Sequence, residues 1–286
     1  MQKLIGGLGL LESPRWHDGR LWFADWTAGQ IRVLADDRRS SRVVVEHESL
    51  PLCFDFAPNG TLLVVSAATQ SLLRFDGEQL IRFADLTPLS TMGANDIVVD
   101  GRGNAYVNSP NAPFGSTSPP DEPAPGRIAL ITPDGAVTVV ADDLDFPNGM
   151  AVTADNATLI VAESYRQRLS AFDIRDDGTL GERRVFAELR EDPPDGITVD
   201  ADGAVWYADV PHGQCVRVAE GGDVQQRVTV DRGAFACILG GAPRDPELFI
   251  VGAQWPGASG LSDDTDWDGA VWSVPVDRPG SGWPGN

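Results

Sequence analysis

Apolar and polar positions along the chain fall into one recurring phrase. From Asp195 to Asp209 the sequence reads "DGITVDADGAVWYAD": a short apolar alternation, an Asx-Gly turn, and a second alternation that ends on an acid. Alternation with period two marks a strand, and an Asx-Gly pair between two such runs marks a tight hairpin. Variants of the phrase begin at Glu12 ("ESPRWHDGRLWFAD"), Leu52 ("LCFDFAPNGTLLVVS"), Asn95 ("NDIVVDGRGNAYVNS"), Asn148 ("NGMAVTADNATLIVAES") and Cys237 ("CILGGAPRDPELFIVG"). Anchors at 12, 52, 95, 148, 195 and 237 are spaced 40 to 53 residues apart. After each hairpin come further strand-like runs, such as "QCVRVAE", "GG" and "DVQQRVTV".

Six strand-rich units of this length predict an all-β, six-bladed β-propeller with about four antiparallel strands per blade. Residues 1–286 then form a single propeller domain, with the chain ends completing a shared blade. The Pro/Gly/Ser-rich stretch 109–126 becomes an insertion loop in blade three, because the repeat resumes directly after it. The topology places the start of each first strand, and each loop between second and third strands, on one face near the axis. That face gathers Glu12, Asn95, Asn148 and Asp195, with loops near Trp26, Thr69, Phe114, Tyr165, His212 and Trp255.

Charge narrows the partners. The chain has 42 acids against 22 bases, a net charge of −20. Such a surface repels nucleic acid and anionic membranes, which leaves a small molecule as the expected partner. Three cysteines, with no metal-ligand spacing, point away from a disulfide framework. With no signal-like leader and no apolar run of membrane-spanning length, the expected location is cytoplasmic.

The anchor positions hold Glu, Leu, Asn, Asn, Asp and Cys in turn. Asn and Asp often precede strands as turn residues. Four oxygen donors at equivalent places in a closed ring suggest more. Two carboxylates at the mouth of a channel repel each other and are costly to desolvate, and a divalent cation removes that cost. Glu12, Asp195, Asn95 and Asn148 form a hard-oxygen set suited to one divalent ion, Ca²⁺ foremost, with Zn²⁺, Mg²⁺, Mn²⁺ and Fe²⁺ as alternatives. Asp25, Glu163 and Asp209 end second strands and are expected to pin loops, with Gln30 and Arg168 as local partners. His17 falls in a hairpin turn on the opposite face, His212 falls on the site face, and Cys237 reads as a small buried filler. No nucleophile-elbow, Walker or dinucleotide motif is present.

Over essentially its whole length the sequence resembles the gluconolactonase/regucalcin (senescence marker protein) family. The resemblance rests on "LLESPRW", "ANDIVVD", "FPNGMAVTADNATLIVAES", "PPDGITVDADGAVWYAD" and the closing "GAVWSVPV". It implies a six-bladed propeller with a divalent metal in its central channel, ligated by Glu12, Asn148 and Asp195. It implies Asn95 as a further ligand or as a holder of substrate and water, and Asp195 as the proton-transfer group. Sugar lactonases of the family commonly carry Arg two residues before the equivalent of Asn95, whereas this chain has Gly93.

The function expected from these features is metal-dependent opening of a small lactone, with Asp195 or a metal hydroxide handling the proton. Phosphotriester or fluorophosphate hydrolysis at the same metal is the alternative enzyme. A non-catalytic propeller binding calcium or a small molecule is the alternative outside catalysis. Asn95, Trp26, Phe114, Tyr165, His212 and Trp255 are the expected substrate contacts. With no arginine at position 93, they favour a small, relatively apolar lactone or ester over a sugar lactone.

Overall fold

A computed structural model of the chain describes residues 1–90, 92–111, 125–257, 260 and 265–285. The repeating phrase becomes six four-stranded antiparallel sheets. Blade 1 comprises Leu11–His17, Arg20–Asp25, Gln30–Leu34 and Ser41–Glu46, and blade 2 comprises Leu52–Phe56, Leu62–Ser66, Ser71–Phe75 and Leu80–Asp85. Blade 3 is Asp96–Val99, Ala105–Ser109, Gly126–Ile131 and Val137–Leu144, and blade 4 is Pro147–Val152, Thr158–Glu163, Arg168–Ile174 and Leu180–Glu188. Blade 5 is Pro194–Val199, Val205–Asp209, Gln214–Val218 and Val224–Thr229. Blade 6 joins Gly233–Ala242, Asp245–Ala253 and Gly269–Pro275 to the N-terminal strand Gln2–Leu8, so both ends of the chain close one sheet, with Gln2 opposite Ser273.

Burial follows position in the blade. The inner strands are covered on both faces and read as apolar runs, while the outermost strand of a blade alternates or lies largely exposed, as in Val137–Leu144. Neighbouring inner strands contact one another around the axis, from blade 1 through blade 6 and back to blade 1.

The acids of the hairpin turns have structural duties. In "DADG" the carboxylate of Asp200 accepts the backbone N–H groups of Asp202 and Ala204, and Gly203 turns the corner at φ 79°. Asp100 does the same for Arg102 and Asn104 in blade 3. These are the side-chain-to-backbone turns that Asp favours. The rear face, where the turns lie, is crossed by the C-terminal segment. Trp283 exchanges both backbone hydrogen bonds with Val152 at 2.8 Å, Ser281 N donates to Val199 O, and Ala201 N donates to Pro279 O. His17 lies on this rear side as expected, stacked on Phe56 with ring centroids 3.7 Å apart.

Candidate metal centre

The inner strands do not all meet the axis in the same way. In blades 1, 4 and 5 the pairing register slips between Glu12 and Arg15, between Pro147 and Met150, and between Pro194 and Ile197. Each slip is a β-bulge, which re-aims side chains at the mouth of a channel. Each of these three bulges carries one of the predicted oxygen donors, Glu12, Asn148 or Asp195; blade 6 slips as well, between Ala234 and Ala236, and carries Phe235 there. Blade 2 runs in regular register from Leu52 opposite Ser66 to Phe56 opposite Leu62.

The glycines in "NGM" and "DGI" follow from the close approach of these strands. A Cβ on Gly149 would lie 2.6 Å from Asp195 O and 2.7 Å from Gly196 Cα, and a Cβ on Gly196 would lie 2.3 Å from Ala236 Cβ. Only a residue without a side chain fits there. The same contacts align Phe235 with Asp195 and Ala236 with Gly196, so the level of the blade 6 anchor falls two residues before Cys237, although Cys237 itself lines the central cavity with Ala236. In blade 2, Cys53 rather than Leu52 reaches the central cavity. The other expected anchors stand where the spacing put them.

The bulged strands enclose a cavity of about 20 Å³, room for a single water or ion. Its lining includes Glu12, Asn95, Asp96, Asn148, Gly196 and Arg15. Asp195 stands beside it, its backbone against Gly149 and its carboxylate hydrogen-bonded to the Asn148 side chain. Asn148 is held in turn: Asn95 Nδ2 donates to its Oδ1 at 3.3 Å, its own Nδ2 donates to Ser164 Oγ at 3.3 Å, and its carbonyl accepts Asn108 Nδ2 at 2.6 Å. Asn108 is fully buried, and its Oδ1 has no hydrogen-bond partner.

The electrostatics of this cavity are lopsided. Burial pushes the Glu12 carboxyl up to about 8 even though Ser13 N donates to it at 2.7 Å, and Asp96 repels it further. Asp195 is pushed well above the usual carboxylate range by burial, then by Glu12 and Asp96. Below them Asp55 is raised by burial to about 6, with Arg15 opposing. Glu12, Asp55 and Asp96 face one buried guanidinium, that of Arg15, while Asp195 adds a fourth acid beside Glu12 and Asp96. Carboxylates gathered this closely with so little compensation are costly unless a cation joins them. The donor set of two carboxylates and two side-chain amides, around a space of ionic size, fits a hard divalent cation.

The rim residues expected to touch substrate are dispersed over separate loops. Trp26 lines the cavity itself. Tyr165 packs on Phe146 with ring centroids 4.5 Å apart, and Trp255 packs edge-on against Phe235 at 5.9 Å. Trp267, not anticipated from sequence, meets the other edge of Phe235 at 6.1 Å. His212 is half-exposed and bound to Asp209, with Nδ1 2.7 Å from Oδ2, and does not line the cavity. Phe114 lies outside the described residues, as does most of the stretch 109–126. Gly93 sits at φ 89°, in the left-handed region that disfavours a side chain, and a Cβ there would be 3.2 Å from Ala67 Cβ.

The strand-end acids pin loops, with one changed partner. Glu163 accepts Arg168 Nε and Asp145 N, both at 2.9 Å. Asp25 takes Gly9 N, Thr27 Oγ1 and Ala28 N, while Gln30 turns to Glu46 instead, because the tight turn after Asp25 brings Thr27 closer. Asp209, Asp192 and His212 bring ligand atoms within 4.8 Å of one another. Their oxygens already serve protein donors, however: Gln214 on Asp209, and Tyr207 and Arg227 on Asp192.

Fold and site together define a six-bladed propeller with a ring of oxygen donors at one end of its axis. The chain belongs to the SMP-30/gluconolactonase/LRE-like family, whose model matches residues 10–254. Among its relatives is a pentonolactonase from Haloferax volcanii, 25% identical over 282 residues, covering 96% of this chain and 92% of the relative. The solved luciferin-regenerating enzyme superposes with a TM-score of 0.78 at 19% identity, covering 98% of this chain and 95% of that one. A calcium-binding regucalcin from Agrobacterium tumefaciens superposes with a TM-score of 0.73 at 18% identity, covering 99% and 92%.

Proposed function

We propose that this protein hydrolyses a small lactone at a divalent cation held by Glu12, Asn148 and Asp195, with Asn95 beside it. The observation that carries this reading is the acid pair of buried Glu12 and half-buried Asp195, with Glu12, Asn95 and Asn148 lining a space for one ion and Asp195 beside it. Membership of a lactonase family and likeness to a pentonolactonase supply the substrate class.

When bound, the cation polarises the ester carbonyl and stabilises negative charge on its oxygen. The chain supplies the rest. Asn148, fixed between Asn95 and Ser164, keeps its amide directed at Asp195. Asn95 offers its side chain to water or to substrate oxygen at the cavity wall. Asp195 stands beside the space above the cavity, where an attacking water loses its proton. Because about 20 Å³ admits no organic molecule, the lactone binds above the cavity, among the rim loops.

That rim favours an apolar body. Phe235, Trp255 and Trp267 form an aromatic group on blade 6, and Trp26 reaches the cavity from blade 1. At Gly93 the backbone conformation disfavours the arginine that sugar lactonases of this family carry. We therefore infer a preference for an alkyl- or aryl-substituted lactone over gluconolactone. The test is metal analysis of purified protein, followed by kcat/KM for gluconolactone and for an alkyl-substituted γ-lactone, with and without chelator. The expected result is about one divalent ion per chain, chelator-sensitive turnover, and the higher kcat/KM on the alkyl lactone. Turnover unaffected by exhaustive chelation would refute the metal assignment, and a clear preference for gluconolactone would refute the substrate assignment.

A further inference from the structure

Arg15 is 4% exposed and sits at the floor of the cavity whose wall carries Glu12. It enters from blade 1, three residues beyond Glu12, because the bulge between them turns both side chains toward the axis. Its guanidinium is surrounded by oxygen. Nε is 3.3 Å from Asp55 Oδ1, Nη2 is 3.3 Å from Asp96 Oδ1 and 2.6 Å from Ile97 O, and Nη1 is 3.0 Å from Pro14 O. The two acids are themselves immobilised: Asp55 accepts Phe56 N and Val99 N, and Asp96 accepts Met150 N. Two carboxylates and two carbonyls around one positive group match, in charge and hardness, the two carboxylates and two amides of Glu12, Asp195, Asn95 and Asn148 above them.

We propose that Arg15 is a built-in cation occupying what would otherwise be a second divalent-ion site, and that it thereby limits the channel to one exchangeable metal. This rests on the metal reading of the upper site given above. Arg15 is here a positioning residue. It holds Asp96, the neighbour of Asn95, and neutralises the lower acid pair so that Glu12 and Asp195 alone recruit the ion. A guanidinium suits this task because it is always charged and presents several donors in a fixed plane, so the lower position stays filled at every metal concentration.

The experiment compares wild type, Arg15→Met and Arg15→Lys. Bound Ca²⁺ is measured by titration calorimetry after chelation and by elemental analysis after gel filtration, and melting is followed with and without Ca²⁺. The expected outcome is one equivalent for wild type and for Arg15→Lys, and two for Arg15→Met, whose melting temperature becomes the most Ca²⁺-dependent of the three. If Arg15→Met still binds one equivalent, with wild-type Ca²⁺ dependence of melting, Arg15 is only a packing residue and the proposal fails. If wild type itself binds no divalent ion, the upper-site reading fails and this proposal fails with it. Should Arg15→Met be insoluble in chelator and recovered by Ca²⁺, the proposal is supported. Should it be insoluble in both, the combination Arg15→Met, Asp55→Asn, Asp96→Asn decides. Folding with one equivalent supports the proposal, because the charges have been removed together, and failure to fold overturns it.

Discussion

Blades 2 and 5 are built from the same phrase and end differently at the axis. Blade 5 breaks its register between Pro194 and Ile197, projects Asp195, and needs Gly196 because the neighbouring strand passes so close. Blade 2 keeps its register, and the residue that reaches the cavity is Cys53, whose Sγ rests on Asn95 O. Blade 2 carries its acid deeper, at Asp55, where Arg15 meets it. The lesson is that a propeller acquires chemistry by local departures from its own repeat. In blades 4 and 5 a bulge with a glycine presents an oxygen donor, and in blade 2 a regular strand makes wall.

The sharpest way to break this contrast is to neutralise the ligand of one blade and the wall of the other. Asp195→Asn is expected to lower kcat/KM on the preferred lactone by about 10³-fold, within the range for losing a proton-transfer group. Cys53→Ala is expected to stay within about threefold of wild type, since a buried Cys packs as a small apolar residue. Comparable losses in the two variants would erase the distinction.

Gly196→Ala comes next. The added Cβ meets Ala236 Cβ at 2.3 Å and Ala236 Cα at 2.7 Å, so the backbone of blade 6 must move. Overpacking of this kind costs about 1–3 kcal/mol, read as a lower melting temperature, and it should weaken metal binding by displacing Asp195. An unchanged melting temperature would mean that the bulge has slack.

A third prediction concerns pH. Glu12 carries a folded-state pKa of about 8 against an ordinary value of 4.5, and Asp195 is raised in the same direction. The folded, metal-free protein therefore binds protons that the unfolded chain releases. Their contribution to stability is complete below the unfolded values and is lost as pH rises through the folded ones. Melting temperature in chelator should fall between about pH 5 and pH 8, and saturating Ca²⁺ should abolish most of that fall. A flat profile in chelator would show that the acid pair is not strained.

The smallest effect belongs to the rim of blade 5. Asp209, by hydrogen bond and by charge, raises the pKa of His212, so its contribution is present below the ordinary value of 6.5 and fades as pH rises above it. Because His212 is half-exposed and outside the cavity, His212→Ala should change kcat/KM by only a few-fold, through the loop rather than the chemistry. A loss near that of Asp195→Asn would move His212 into the reacting centre.

The blades were legible in the sequence because period-two alternation and Asx-Gly turns repeat at near-constant spacing. Glu12, Asn95, Asn148 and Asp195 were legible because polar residues interrupt otherwise apolar phrases. Blade 6 misled by two residues. Its inner strand, "GAFACILGGA", is apolar throughout, and a shift of two preserves the facing of every side chain, so nothing in the pattern marks the level of Phe235. Arg15 and Asp96 went unread for a different reason. A charged residue close to an anchor looks like the solvent side of a strand, and it is the bulge in blade 1 for Arg15 and the crowding at the axis for Asp96 that bring them to the cavity. The signal available was their adjacency to the anchors, in "ESPR" and "ND".

The pairing of Gln2–Leu8 with Gly269–Pro275 has a consequence for how the molecule comes into being. These strands lie far apart in the sequence, so the contact that closes the ring is a highly non-local one, and contacts of that kind form late. Glu12 is synthesised well before Asp195. The two acids are brought together only by closure of the ring. A cation held by both, as proposed, would then report on the completed circle, and each blade made before that moment is a sheet waiting for its neighbours.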